Sequence, residues 1–143
     1  MKKKRIPSIK SAPMLVMRGL ANDRLETRER MAVEAFANGW ATMEHFDFLT
    51  DMHGITILGA CTSDEHKPLA GWCKNSLSPV FGAIRERYKE SGKFYCTEQE
   101  LSLLGQFVTK YRDFWMKKPL ALYECACDQL NRHYKRMAES AAL

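Results

Sequence analysis

The chain has 143 residues, 45% of them hydrophobic, with 22 Lys and Arg against 17 Asp and Glu and with five cysteines. That length suits one domain with its own core, and that apolar fraction excludes a disordered chain. No apolar run approaches the roughly 18 residues that a membrane span needs, so no membrane partner is expected.

The net charge of +5 is unevenly spread. Met1 to Arg30 holds nine bases and three acids, Met31 to His66 six acids and no Lys or Arg, and Lys67 to Leu143 thirteen bases and eight acids. A negative block between two positive ones bears on surfaces and partners rather than on fold.

Residues 1–22 read as a basic, proline-containing N-terminal arm ahead of a helical domain at residues 23–143. In "MKKKRIPSIKSAP", Lys2, Lys3, Lys4 and Arg5 stand in a row, and Pro7 and Pro13 favour extended backbone. "MLVMRGL" is short and interrupted by Arg18, so no export signal is expected. Five cysteines without a framework of spacings then predict reduced thiols in a cytoplasmic protein.

A first helix is expected from about Asp23 to Asn38, capped by Asn22 or Asp23 and stopped by Gly39. A second starts with Thr42 as its cap and carries Phe46, Leu49, Met52 and Ile55 on one side. The stretch "HGITILGAC" at residues 53–61 is rich in β-branched residues, but no other strand-like run exists to pair with it, so it reads as helix. Pro68 opens a third helix with Leu69, Trp72, Cys73 and Leu77. Ser78-Pro79 then either kinks that helix or starts a new one, which continues through Val80, Phe81, Ile84 and Tyr88 to Ser91-Gly92.

Thr97 and Glu100 form a capping box that opens a fourth helix. Leu101, Leu104, Val108, Tyr111 and Trp115 follow at alternating spacings of three and four, a heptad seam. Pro119 ends it, and Tyr123, Cys127, Leu130, Tyr134 and Met137 repeat the pattern. The two seams predict a C-terminal antiparallel helical hairpin within an all-α, single-domain bundle of about five helices.

Sites are sparse. No glycine-rich phosphate loop, zinc-protease helix or nucleophile elbow occurs, so neither catalytic residues nor a cofactor is expected. Cys125 and Cys127 point roughly 200° apart on a helix and cannot share an ion. Cys61, His66 and Cys73 could converge across a loop, but the paired short spacings of a zinc site are missing, and no metal is expected. Glu44, Asp47 and Asp51 fall on one face of the second helix as an acidic stripe, with His45 alongside. They are the candidates for contact with a basic partner surface, against the alternative of a merely solvated face.

"AFANGWATMEHFDFL" places Ala35 and Gly39 at the spacing of a helix-turn-helix turn. A recognition helix that presents three acids would repel phosphates, however, so nucleic acid would have to meet other surfaces. The basic candidates are Lys2, Lys3, Lys4 and Arg5, then Arg24 and Arg28, then Arg85 and Arg87 with Lys89, and finally Arg132, Lys135 and Arg136.

"PMLVMRGLANDRLETRERMAVEAFANGW" and "CTEQELSLLGQFVTKYRDFWMKKPLALYECACDQLN" resemble small accessory proteins carried by bacteriophages, prophages and related mobile elements. The resemblance brings no catalytic residue. It implies interference with a host system, such as inhibition of a defence, or regulation of the element's own genes. The expected function is thus a non-enzymatic interaction protein that binds a host protein or nucleoprotein complex. The alternatives are a basic nucleic-acid-binding transcriptional regulator and an enzyme of unknown type. A homodimer is compatible with any of them.

Overall fold

The structure, a computed structural model, describes the backbone of residues 20–142 and the side chains of residues 28–141. Every regular element among these residues is helical. Helix α1 is Leu20–Asn38, α2 is Met43–Ala60, α4 is Glu98–Trp115 and α5 is Leu120–Ala142. Helix α3 is continuous but built of three parts, Lys67–Trp72, a π turn Cys73–Leu77, and Ser78–Ser91, and a 3-10 turn Asp64–His66 leads into it. The fold is a single all-α domain with five helices among the described residues, and none of these is long and apolar enough to cross a membrane.

Local chemistry explains the boundaries. Helix α1 begins ahead of the expected Asn22–Asp23 cap, because Leu20 and Ala21 are good helix formers and Asp23 is favourable inside a first turn. It ends at Gly39, whose φ of 80° needs a residue without a side chain. The Trp40 N–H then reaches back to the Ala35 carbonyl at 3.0 Å, the long bond of a Schellman turn. At α4, the Thr97 N–H donates to Glu100 Oε1 at 3.0 Å while the Glu100 N–H donates to Thr97 Oγ1 at 3.2 Å, the reciprocal box that the sequence predicts.

Pro79 neither splits α3 nor simply kinks it. Proline lacks an N–H and its ring collides with the carbonyl four residues back. The helix answers with a wider turn, in which the Ser78 N–H bonds the Cys73 carbonyl.

Residues 53–60 are helical, as read. The two glycines there weaken the helix by about 1 kcal/mol each relative to alanine, and packing explains them. A Cβ on Gly54 would lie 2.9 Å from Leu130 Cδ1, and one on Gly59 only 2.6 Å from Trp115 Cη2. These vacancies admit α5 and the end of α4.

Helix α2 is central and packs on α1, α3 and, most extensively, α5, whereas α4 packs on α1 and the π turn. This corrects the expected hairpin seam. The chain does reverse at Pro119, and Trp115 meets Tyr123 edge-on at 5.1 Å beside the turn, but α5 then takes α2 as its main partner. Leu104 and Leu130 are buried, whereas Met137, at the far end of the seam, is 57% exposed. A single apolar cluster joins all five helices. Phe94, in the α3–α4 loop, plugs it between Tyr88 (4.1 Å, stacked), Phe46 (5.3 Å, stacked) and Phe36 (6.1 Å, edge-on).

The glycines provide a test with opposite signs. Gly59→Ala should cost about 1–3 kcal/mol, because the added carbon overpacks the Trp115 seat. Gly105→Ala, where no atom lies within 4 Å of the added carbon, should gain about 0.5–1 kcal/mol. Urea unfolding measures both, and an unchanged midpoint for Gly59→Ala would contradict the close approach.

Candidate functional site

The acidic stripe does not survive folding as a surface. Glu44 is exposed and Asp47 half-buried, but Asp51 is only 1% exposed and accepts the Tyr134 O–H at 2.6 Å. Helix α5 lies along this side of α2, and a carboxylate turned into a bundle must be hydrogen-bonded. Asp51 therefore holds α5 in place. A three-acid contact with a basic partner is corrected to Glu44 and part of Asp47.

The helix-turn-helix likeness is likewise confined to the backbone. Helix α2 is covered by α1, α3 and α5, so its exposed side is too narrow to lie in a major groove. His45 has a local task instead. Its Nδ1 accepts the Thr42 N–H at 2.9 Å, standing in for the glutamate of a capping box.

The elbow between α1 and α2 is nevertheless unusual. Met31, Trp40 and Met43 are 51%, 48% and 46% exposed. Trp40 packs edge-on against His45 at 5.5 Å. Met31 shares a shallow cleft with Arg28, Glu44, His45 and Phe48, and the Arg28 guanidinium lies 4.6 Å from the Phe48 ring centre.

The basic candidates separate into different roles. Lys2, Lys3, Lys4, Arg5 and the side chain of Arg24 lie outside the described residues. Arg85 is exposed and sits 5.4 Å from the Phe46 ring. Arg87 is corrected from a surface base to a structural clamp: it pairs with Glu100, and its Nε and Nη2 donate to the Tyr95 carbonyl at 3.3 and 3.2 Å. Behind it, burial pushes the Cys96 thiol up to about 12. Lys89 pairs with Glu86 at 3.3 Å. Arg132, Lys135 and Arg136 are exposed and form no ion pair among the described residues. Arg132, His133 and Arg136 border a cleft of about 450 Å3 over Ile57, Leu58 and Leu130.

Two polar clusters escape the sequence reading. In the first, His53 Nε2 lies 2.9 Å from the Cys73 carbonyl, so that nitrogen carries the hydrogen. Ser78 Oγ stands 3.3 Å from the same nitrogen and 3.3 Å from the same carbonyl. A nitrogen that is already donating cannot take the serine proton, and burial pushes the Cys73 thiol up to about 11, away from a reactive thiolate. The cluster ties α2 to the π turn. In the second, Glu29 is 1% exposed and faces Arg112 at 4.0 Å across α1 and α4. Tyr111, Tyr123 and Cys127 are hydrogen-bonded in a row beside it, and burial, reinforced by the negative groups around them, pushes both phenols upward. A signal did exist, since Glu29 occupies the row of Ala32 and Phe36, both buried.

Cys61, His66 and Cys73 do not converge. Cys61 is exposed, Cys73 is buried, and His66 Nε2 accepts Lys118 Nζ at 2.6 Å. Among the described residues no group of three His, Cys, Asp or Glu side chains could hold a metal ion. The chain matches no protein family, no curated protein and no solved structure.

His53 titrates below its ordinary value of 6.5 because burial penalises the charged ring, an effect its carbonyl partner only partly offsets. The unfolded chain therefore binds the proton first. Stability should be full above about pH 6.5 and decline as the pH falls below it. His53→Gln should flatten that decline in urea unfolding followed between about pH 7.5 and 5, and an unaltered slope would assign it to other groups. Tyr134→Phe should cost about 1.5–3 kcal/mol, the worth of a hydrogen bond to a buried carboxylate. Glu44→Lys should shift stability by less than about 0.5 kcal/mol, as surface changes do. Equal effects of the two in thermal denaturation would place Asp51 and Glu44 in like surroundings.

Proposed function

We propose that this protein is a non-enzymatic interaction module that seats on a partner protein through the elbow between α1 and α2. The observation that carries this reading is the exposure of Met31, Trp40 and Met43 around one capped turn. Aromatic side chains, methionine and arginine are the residues that interface centres favour. Large apolar groups set in water are a liability unless something covers them. The turn is fixed by the Trp40–Ala35 and Thr42–His45 hydrogen bonds, so little backbone freedom is lost on binding. The likeness to phage and mobile-element accessory proteins points to a host protein or nucleoprotein as the partner. Occupying that surface would then inhibit a host system, a defence system among the candidates. A second reading, a nucleic-acid-binding regulator, rests on the exposed Arg132, Lys135 and Arg136, which form no ion pair among the described residues.

Trp40→Ala should weaken the protein's complex with a captured host partner by about 2 kcal/mol or more, with the circular-dichroism spectrum and melting temperature unchanged. Isothermal titration against the purified partner reads the first and thermal melting the second. A partner that binds Trp40→Ala as tightly as the parent chain removes the elbow from the interface. Steeply salt-dependent binding to random duplex DNA, abolished by replacing Arg132, Lys135 and Arg136, would favour the second reading.

A further inference from the structure

Separately from the elbow, we propose that the cleft between α2 and α5 is a docking groove for an acidic amphipathic helix of a partner protein. The two helices run antiparallel, with Tyr134 bonded to Asp51 and Leu130 filling the space over Gly54. Beside this contact, Ile57 and Leu58 remain half-buried, and with Leu130 they floor a cleft of about 450 Å3. The rim is cationic: Arg132, His133 and Arg136 border the cleft, Lys135 is exposed on the same turn, and no carboxylate lines it.

The charges select the guest. Arg132 and Arg136 stand one helical turn apart, where like charges repel each other, and neither forms an ion pair among the described residues. Carboxylates one turn apart on an incoming helix meet both guanidinium forks, a geometry that arginine recognises well. Apolar residues on the same guest helix, three or four apart, rest on Ile57 and Leu58. A nucleic-acid backbone would satisfy the arginines but leave the apolar floor without a counterpart. The cationic strip is also short, because Asp128 and Glu139 bound it along α5.

Four probes test this by fluorescence anisotropy against the full chain. One is a helix-forming peptide of about 18 residues, long enough to be helical alone, with a leucine stripe flanked by glutamates. The second has lysines for the glutamates, the third serines for the leucines, and the fourth is a random DNA duplex. The glutamate–leucine peptide should bind saturably and about tenfold or more tighter than the other three. The double reversal Arg132→Glu with Arg136→Glu, on exposed residues, should weaken it by about tenfold or more, whereas Lys93→Glu on the α3–α4 loop should not. Leu58→Ser should weaken it with the melting temperature checked in parallel. The absence of saturable binding overturns the proposal, as does equal binding by the reversed variant. Equal binding of the serine peptide reduces the groove to a charge patch and overturns it too. Tighter binding of the duplex, lost on the same reversal, would assign the strip to nucleic acid.

Discussion

One side chain fixes how three of the five helices meet. Trp115, at the end of α4, lies over Gly59 of α2, and its Nε1–H donates to the buried Thr56 hydroxyl at 3.2 Å. The same indole meets Phe114 at 4.8 Å and Tyr123 of α5 at 5.1 Å. An indole N–H taken out of water needs an acceptor, and the ring needs room that only a missing Cβ provides. Both conditions are met one turn apart on α2. From this seat the chain turns at Pro119, and the direction in which α5 departs along α2 follows. Both the elbow and the cationic cleft are built on α2, so each inherits its shape from this contact.

Around that seat, three buried or half-buried polar ties define which residues stand opposite one another. Glu29 and Arg112 face each other across α1 and α4, Asp51 and Tyr134 join α2 to α5, and His53 joins α2 to the π turn through the Cys73 carbonyl. Apolar surfaces alone tolerate sliding and repacking. A polar atom shifted off its partner in a dry interior incurs a desolvation penalty. The ties thus set the register, and the apolar cluster, of which Phe94, Phe46 and Phe36 are part, supplies the apolar burial.

What was legible in the sequence was local. Thr97 with Glu100, Gly39 and Gly92 each carry their boundary within four residues, because caps and left-handed turns depend on near neighbours. What was hidden depends on distant partners. The acids at 44, 47 and 51 share a helical face, and only the approach of Tyr134, 83 positions later, makes Asp51 an interior residue. The heptad seam of α5 was visible, but a seam does not name its partner, and the glycines of α2 proved more attractive than the facing seam of α4. Arg87 looked like a surface base because Glu100 was already committed, in the sequence, to its cap. Phe94 lies in a loop and belongs to no periodicity at all.

The π turn in α3 has an evolutionary side. It amounts to a single-residue insertion that a helix has absorbed without breaking. A relative one residue shorter between Cys73 and Leu77 could thread a straight α-helix here and keep its later residues on nearly the same faces, because a wide turn with one extra residue sweeps about the angle of an ordinary turn. The same deletion without the change of turn would rotate everything beyond by about 100° and carry Val80, Phe81 and Ile84, now buried, out of the core. The extra residue and the wide turn are therefore inherited, or lost, together.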